Sequence, residues 1–187
     1  MPGVELSLPS SAASRLARLA RVMEVVTTVG IALIVILVAV ALVIPDWTRA
    51  IALAKLGQAG IALPITPLGQ AVAGLVLAIP IGVMICGLFA ARRMFSEFSH
   101  GEIFSERAAR HLQTFAATVL AQGPLGPLTA AGFSAALSLG NPPGQRALTI
   151  AFSINDYFAL IVGGVLFAAA TVMREAARLA DEHKGFV

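Results

Sequence analysis

His100, Glu102, Glu106 and His111 crowd into one polar stretch between two apolar runs. Two imidazoles and two carboxylates are the ligand types of a divalent-metal centre. Their order, however, matches no ligand spacing such as HExxH, which sets two histidines on one helix face. The stretch from Arg92 to His111 reads instead as a turn followed by a helix. Ser105 caps that helix, Glu106 suits its positive end, and Glu106 and Arg110 pair across one turn. No metal and no cofactor is expected.

Thr114, Thr118 and Gln122 recur every four residues, with Gly126 next in the series. Such a polar stripe can line a path for a solute or ion, or it can hydrogen-bond to neighbouring helices at about 0.6 kcal/mol per contact. The second reading is preferred, because transport paths usually carry ionisable groups within the membrane. Here Glu24 and Asp156 lie at the ends of apolar runs. The single cysteine, Cys86, has no partner for an internal disulfide and sits among apolar residues as an inert thiol. No GxSxG, P-loop, GxGxxG or paired-cysteine motif occurs. The chain is expected not to be an enzyme.

Of the 187 residues, 58% are hydrophobic and 12% charged, with a mean hydropathy of +0.87. Soluble domains run nearer 45–50% apolar and about 25% charged. The expected fold is all-α, an integral membrane bundle of four transmembrane helices with short loops. The helices are placed at about 25–44, 71–91, 115–139 and 157–173, after an N-terminal segment 1–24. A helix of 20 residues spans about 30 Å, the thickness of a bilayer core. Val25 to Ile44 is too long for the apolar part of a signal peptide, so it is read as a retained span. Pro80 should kink the second helix. Gly123-Pro124-Leu125-Gly126-Pro127 should break the third. Residues 147–156 either extend the fourth helix or form a short interfacial one.

The net charge of +3 does not indicate nucleic-acid binding, because the basic residues are dispersed and no groove-entering motif is present. They follow membrane orientation instead. Ten of the 13 Lys and Arg residues lie in the N-terminal segment, the middle loop and the C-terminal tail, leaving Arg49, Lys55 and Arg146 for the other two loops. Both termini and the middle loop are therefore expected in the cytoplasm. Ser11 to Met23 reads as a basic amphipathic helix on the membrane surface, with Leu16, Leu19 and Met23 on its apolar face. In the second run, Gly74, Ala78, Gly82, Cys86 and Ala90 are small residues spaced by four, and Gly164 and Ala168 repeat the spacing in the fourth. Small residues let helices approach closely in lipid. Packing within the bundle is the expected use, and a homo-oligomer seam is the alternative.

Phe98 to Ser105, PheSerHisGlyGluIlePheSer, followed by Arg107 through Leu112, and Arg178 to Val187, ArgLeuAlaAspGluHisLysGlyPheVal, are two distinctive stretches. With the four apolar runs they resemble the bacterial four-pass membrane family designated domain of unknown function 2975. Gly101 with Phe104 occupies the place of its Gly-x-x-Phe element, and Leu179 with Glu182 that of its Leu-x-x-Glu element. The resemblance covers about residues 25–187, with the first helix matching by hydrophobicity alone. It implies a bacterial plasma (inner) membrane location and no established activity. It also implies a small helix-turn-helix regulator as a cytoplasmic protein partner.

The expected function is a non-enzymatic protein of the lipid bilayer that engages a cytoplasmic partner. Loop and tail, around Gly101, Phe104, Leu179 and Glu182, would form its platform. The alternative is a small transporter or channel component using the third helix's polar face. Reporter fusions at Lys184 and near Asn141 should report opposite compartments, and both on one side would overturn the four-pass topology.

Overall fold

The computed structural model describes residues 10–57, 66–101, 105–142, 146 and 148–184. These form α1 (Ser10–Val43), α2 (Pro45–Leu56), α3 (Pro67–Ser99), α4 (Glu106–Leu137), a 3-10 turn (Ser138–Gly140) and α5 (Ile154–Lys184), with no strand among them. Three helices hold stretches long and apolar enough to cross a membrane: Ala17–Val40, Pro67–Ser99 and Ile154–Leu179. That is the mark of a membrane protein. By composition α4 does not join them, because Gln122 and the Gly/Pro cluster lower its hydropathy.

Local chemistry sets the helix ends. Pro45 stands at the start of α2, where its missing N–H is not needed, and Asp46 suits the positive end of that helix. Thr66 caps α3 by accepting from the Gly69 N–H at 3.1 Å. Ser105 caps α4 by accepting from the Ala108 N–H at 3.1 Å. Ser153 and Asp156 cap α5 reciprocally: each backbone N–H donates to the other's side chain, at 2.8 Å and 3.3 Å. The turn between α3 and α4 needs Gly101, whose φ of 88° disfavours any residue with a Cβ.

The long helices pack in chain order and antiparallel: α1 on α3, α3 on α4, α4 on α5. Glu24 of α1 reaches Arg92 near the end of α3 at 3.9 Å. Arg174 near the end of α5 donates to Gln113 near the start of α4 at 3.2 Å. One end of the row thus gathers the basic segments of all four long helices. The other end holds α2, whose Ala52 and Leu56 are buried against Ala73, Ala130, Phe133, Ala136 and Leu137.

Several sequence expectations need correction. Every long helix starts before its expected first residue. The basic N-terminal helix is continuous with the first span, both lying in α1. Helix α4 is unbroken through Pro124 and Pro127. Proline in a helix removes single bonds, and packing on both sides holds the remaining ladder. Residues 148–153 are not helical; they run along α4, where the Thr149 N–H donates to Ser134 Oγ at 2.9 Å. The first expected loop, which carries Arg49 and Lys55, holds helix α2, and Pro45-Asp46 and Gly57 are its start and stop signals.

The small-residue seam is also displaced. Ala78, Gly82, Cys86 and Ala168 are exposed, Gly74 and Gly164 are half-buried, and Ala90 is buried. No atom lies within 4 Å of where a Cβ on Gly82 would stand. The close approaches use other glycines. Gly87 abuts Thr118 of α4, and Gly163 of α5 lies against the backbone of Leu120. Gly163, Ala170 and Ala177 are buried at a spacing of seven, the repeat that keeps one helix seam against another over many turns. Gly163→Leu should therefore destabilise the bundle by about 1–3 kcal/mol through overpacking, whereas Gly82→Leu should leave it unchanged. Thermal unfolding of both variants in detergent checks this, and equal loss in both would overturn it.

Candidate functional site

At the basic end, α3 and α4 part and leave a groove of about 870 Å³. Its inner stretch is apolar, formed by Gly82, Ile85, Cys86, Phe89 and Ala90 of α3. Its mouth is basic, formed by Arg93 of α3 with Arg107, Arg110 and His111 of α4, and Thr114 lies beside it. The displaced seam explains the cavity: Gly82 and Cys86 face away from α4's packing surface, so they leave space outside the bundle. The Gly101 turn and the Ser105 cap then bring the first turns of α4 opposite Arg93.

Charges at the mouth are unevenly compensated. Arg92 turns aside to Glu24, and Arg110 pairs with Glu106 at 3.9 Å. Neither Arg93 nor Arg107 pairs with a carboxylate among the described residues. His111 titrates below the ordinary histidine range. Burial is the largest cause, and Arg93 and Arg110 add to it while Glu97 opposes it.

Among the described residues, those singled out for metal do not converge. The His100 ring nitrogen Nδ1 lies 2.7 Å from the Ser96 carbonyl on its own helix, Glu106 goes to Arg110, and His111 faces the groove. Glu102 lies outside the described residues. The polar stripe makes hydrogen bonds within α4 and to α3. Thr114 donates to the Arg110 carbonyl at 3.0 Å, and Thr118 to the Phe115 carbonyl at 2.7 Å. Gln122 Nε2 donates across the helix interface to the Pro80 carbonyl at 2.8 Å. Gly126 packs against the side chain of Asp156.

Of the four platform residues, Gly101 forms the turn and Leu179 is 50% exposed on α5. Phe104 and the side chain of Glu182 lie outside the described residues. The observed link between α5 and this end is Arg174 with Gln113, beside the Arg178–Glu175 pair at 4.0 Å.

A second cavity, of about 210 Å³, lies under α2 at the opposite end. Trp47, Ile51, Leu77 and Phe133 help to wall it. Its polar feature is Gln70 Nε2 donating to Thr48 Oγ1 at 3.1 Å. Neither cavity was foreseen from sequence, since each depends on which face of a helix its neighbour covers. The basic mouth did leave a sequence signal: Arg93, Arg107, Arg110 and His111 flank one short turn.

No family model, curated protein or solved structure matches this chain.

The depressed His111 value carries a sign. The unfolded chain binds a proton there more readily than the folded one, so the neutral ring's contribution to stability is present above the ordinary histidine value. It is lost as pH falls through the lowered folded value. Arg93→Ala removes one lowering charge, so the His111 midpoint should rise toward the ordinary value. An NMR titration of the ring in detergent would show this. An unmoved midpoint would mean that Arg93 does not act on the ring.

Proposed function

We propose that this chain is a four-pass protein of a bacterial plasma membrane. Both termini lie in the cytoplasm, and it acts without catalysis by engaging and regulating a cytoplasmic partner. The observation that carries the reading is the common placement of the basic helix ends. The Glu24–Arg92 and Gln113–Arg174 contacts draw α1, α3, α4 and α5 together at one end, where Arg93, Arg107, Arg110 and Arg178 also lie. Arginine-rich flanks on one side of an antiparallel row support retention of that side in the cytoplasm. Because α4 is covered by α3 on one side and α5 on the other, it can cross with less hydropathy than a lipid-facing helix needs.

Partner engagement is supported by α5, which continues as helix to Lys184 and leaves Leu179 half exposed at the basic end. An apolar side chain at a helix end that leaves the membrane is a natural contact point. The resemblance supports a small helix-turn-helix regulator as the protein it meets. In this reading the polar stripe stabilises helix contacts, since Gln122 is committed to Pro80.

The test is co-purification of the detergent-solubilised chain with a helix-turn-helix regulator encoded beside its gene. Leu179→Asp should lower capture about tenfold, the effect of losing one buried contact residue, with an unchanged melting temperature. Capture equal to the parent chain would overturn the partner reading.

A further inference from the structure

We propose that the groove between α3 and α4 binds one anionic phospholipid. Its phosphate is held at Arg93 and Arg107, and one acyl chain lies along Gly82, Cys86 and Ala90. Three independent features of the groove converge on this occupant.

The first is its length. From Gly82 to Arg93 is eleven residues of continuous helix, about 16 Å of rise. That is close to half of the roughly 30 Å hydrocarbon core. The groove therefore follows one leaflet, with its basic mouth where headgroups begin. The second is its chemistry along that length. The inner stretch carries no charged side chain, and the mouth carries three arginines and a histidine. The order apolar then cationic is the complement of an anionic amphiphile lying parallel to the helices. The third is uncompensated charge. Glu24 pairs with Arg92 and Glu106 with Arg110, while Arg93 and Arg107 rim the mouth without an ion pair among the described residues, and Glu97 one turn along α3 is the carboxylate that also acts on His111. Positive charges that line one mouth repel one another. A phosphate relieves that repulsion, and guanidinium forks match its oxygens in pairs.

A second copy of this chain fits less well. A two-fold interface sets the same patch against itself, which would bring two clusters of arginines face to face. The small residues also gain a use: Gly82, Cys86 and Ala90 keep the trough open where larger side chains would close it. The name of the leaflet depends on the orientation proposed above. The binding itself does not, and micelles have no sidedness, so failure of one leaves the other standing.

Cys86 is the chain's only cysteine, and it is exposed in the trough. Its alkylation by N-ethylmaleimide therefore reports occupancy where the acyl chain would lie. The full chain is studied in dodecyl maltoside micelles doped with either palmitoyl-oleoyl phosphatidylglycerol or the phosphatidylcholine of the same chains. Phosphatidylglycerol should slow alkylation about tenfold relative to phosphatidylcholine, as recognition through two charge-assisted contacts implies. Arg93→Gln with Arg107→Gln should abolish the difference while leaving the rate in pure detergent unchanged. Gly82→Leu, which fills the trough without touching the charges, should lose the phosphatidylglycerol adduct in native mass spectrometry. Equal protection by both lipids, protection that survives loss of both arginines, or protection by inorganic phosphate alone would each overturn the proposal. So would protection that appears only with a dimer mass.

Discussion

A helix in hydrocarbon gains little by hiding apolar side chains, because lipid tails are as apolar as leucine. What holds helices together there is close backbone approach, dense packing and the few hydrogen bonds that cross between them. In this chain those contacts converge on α4. Gly87 brings α3 against Thr118, and Gly163 brings α5 against the backbone of Leu120. Gln122 reaches across to the Pro80 carbonyl, beside the point where proline interrupts the α3 ladder. The row of helices is built outward from this central one.

The central position also accounts for the composition of α4. A lipid-facing helix must present an apolar surface all along its outer side, and α1, α3 and α5 do. Helix α4 buries Ala109, Ala116, Gly123, Ala130 and Phe133 against its neighbours, so it tolerates two prolines, two glutamines and several threonines. Covered on both sides, it needs less hydropathy than its neighbours and more small residues.

Packing in a row has a second consequence. Adjacent helices that touch along one seam diverge on their outer sides, and small residues there leave space that no neighbour fills. Gly82 and Cys86 lie on such a side of α3. The arginines gathered at the basic end also rim that space, because the seam ends near the Gly101 turn. Clustered positive charge and an apolar groove thus meet at one place.

Much of this was written in the residues themselves. Apolar runs of 17 residues or more, the helix cap at Ser105, and the turn glycine at position 101 act locally, and local chemistry is legible from neighbours in the chain. The gathering of arginines into alternate flanks follows from counting. The tertiary structure decided which face of each helix is covered. Small residues at a spacing of four mark α3 as a packing helix, yet the seam runs through Gly87, and Gly82 is left outside. A 3.6-residue helix offers two adjacent small faces with nearly equal patterns, and only the position of the neighbouring backbone selects between them. The same holds for α4, where Gly and Pro alone predict a break. Contacts from α3 and α5 keep it whole, because backbone groups freed in the membrane must be satisfied by what packs against them.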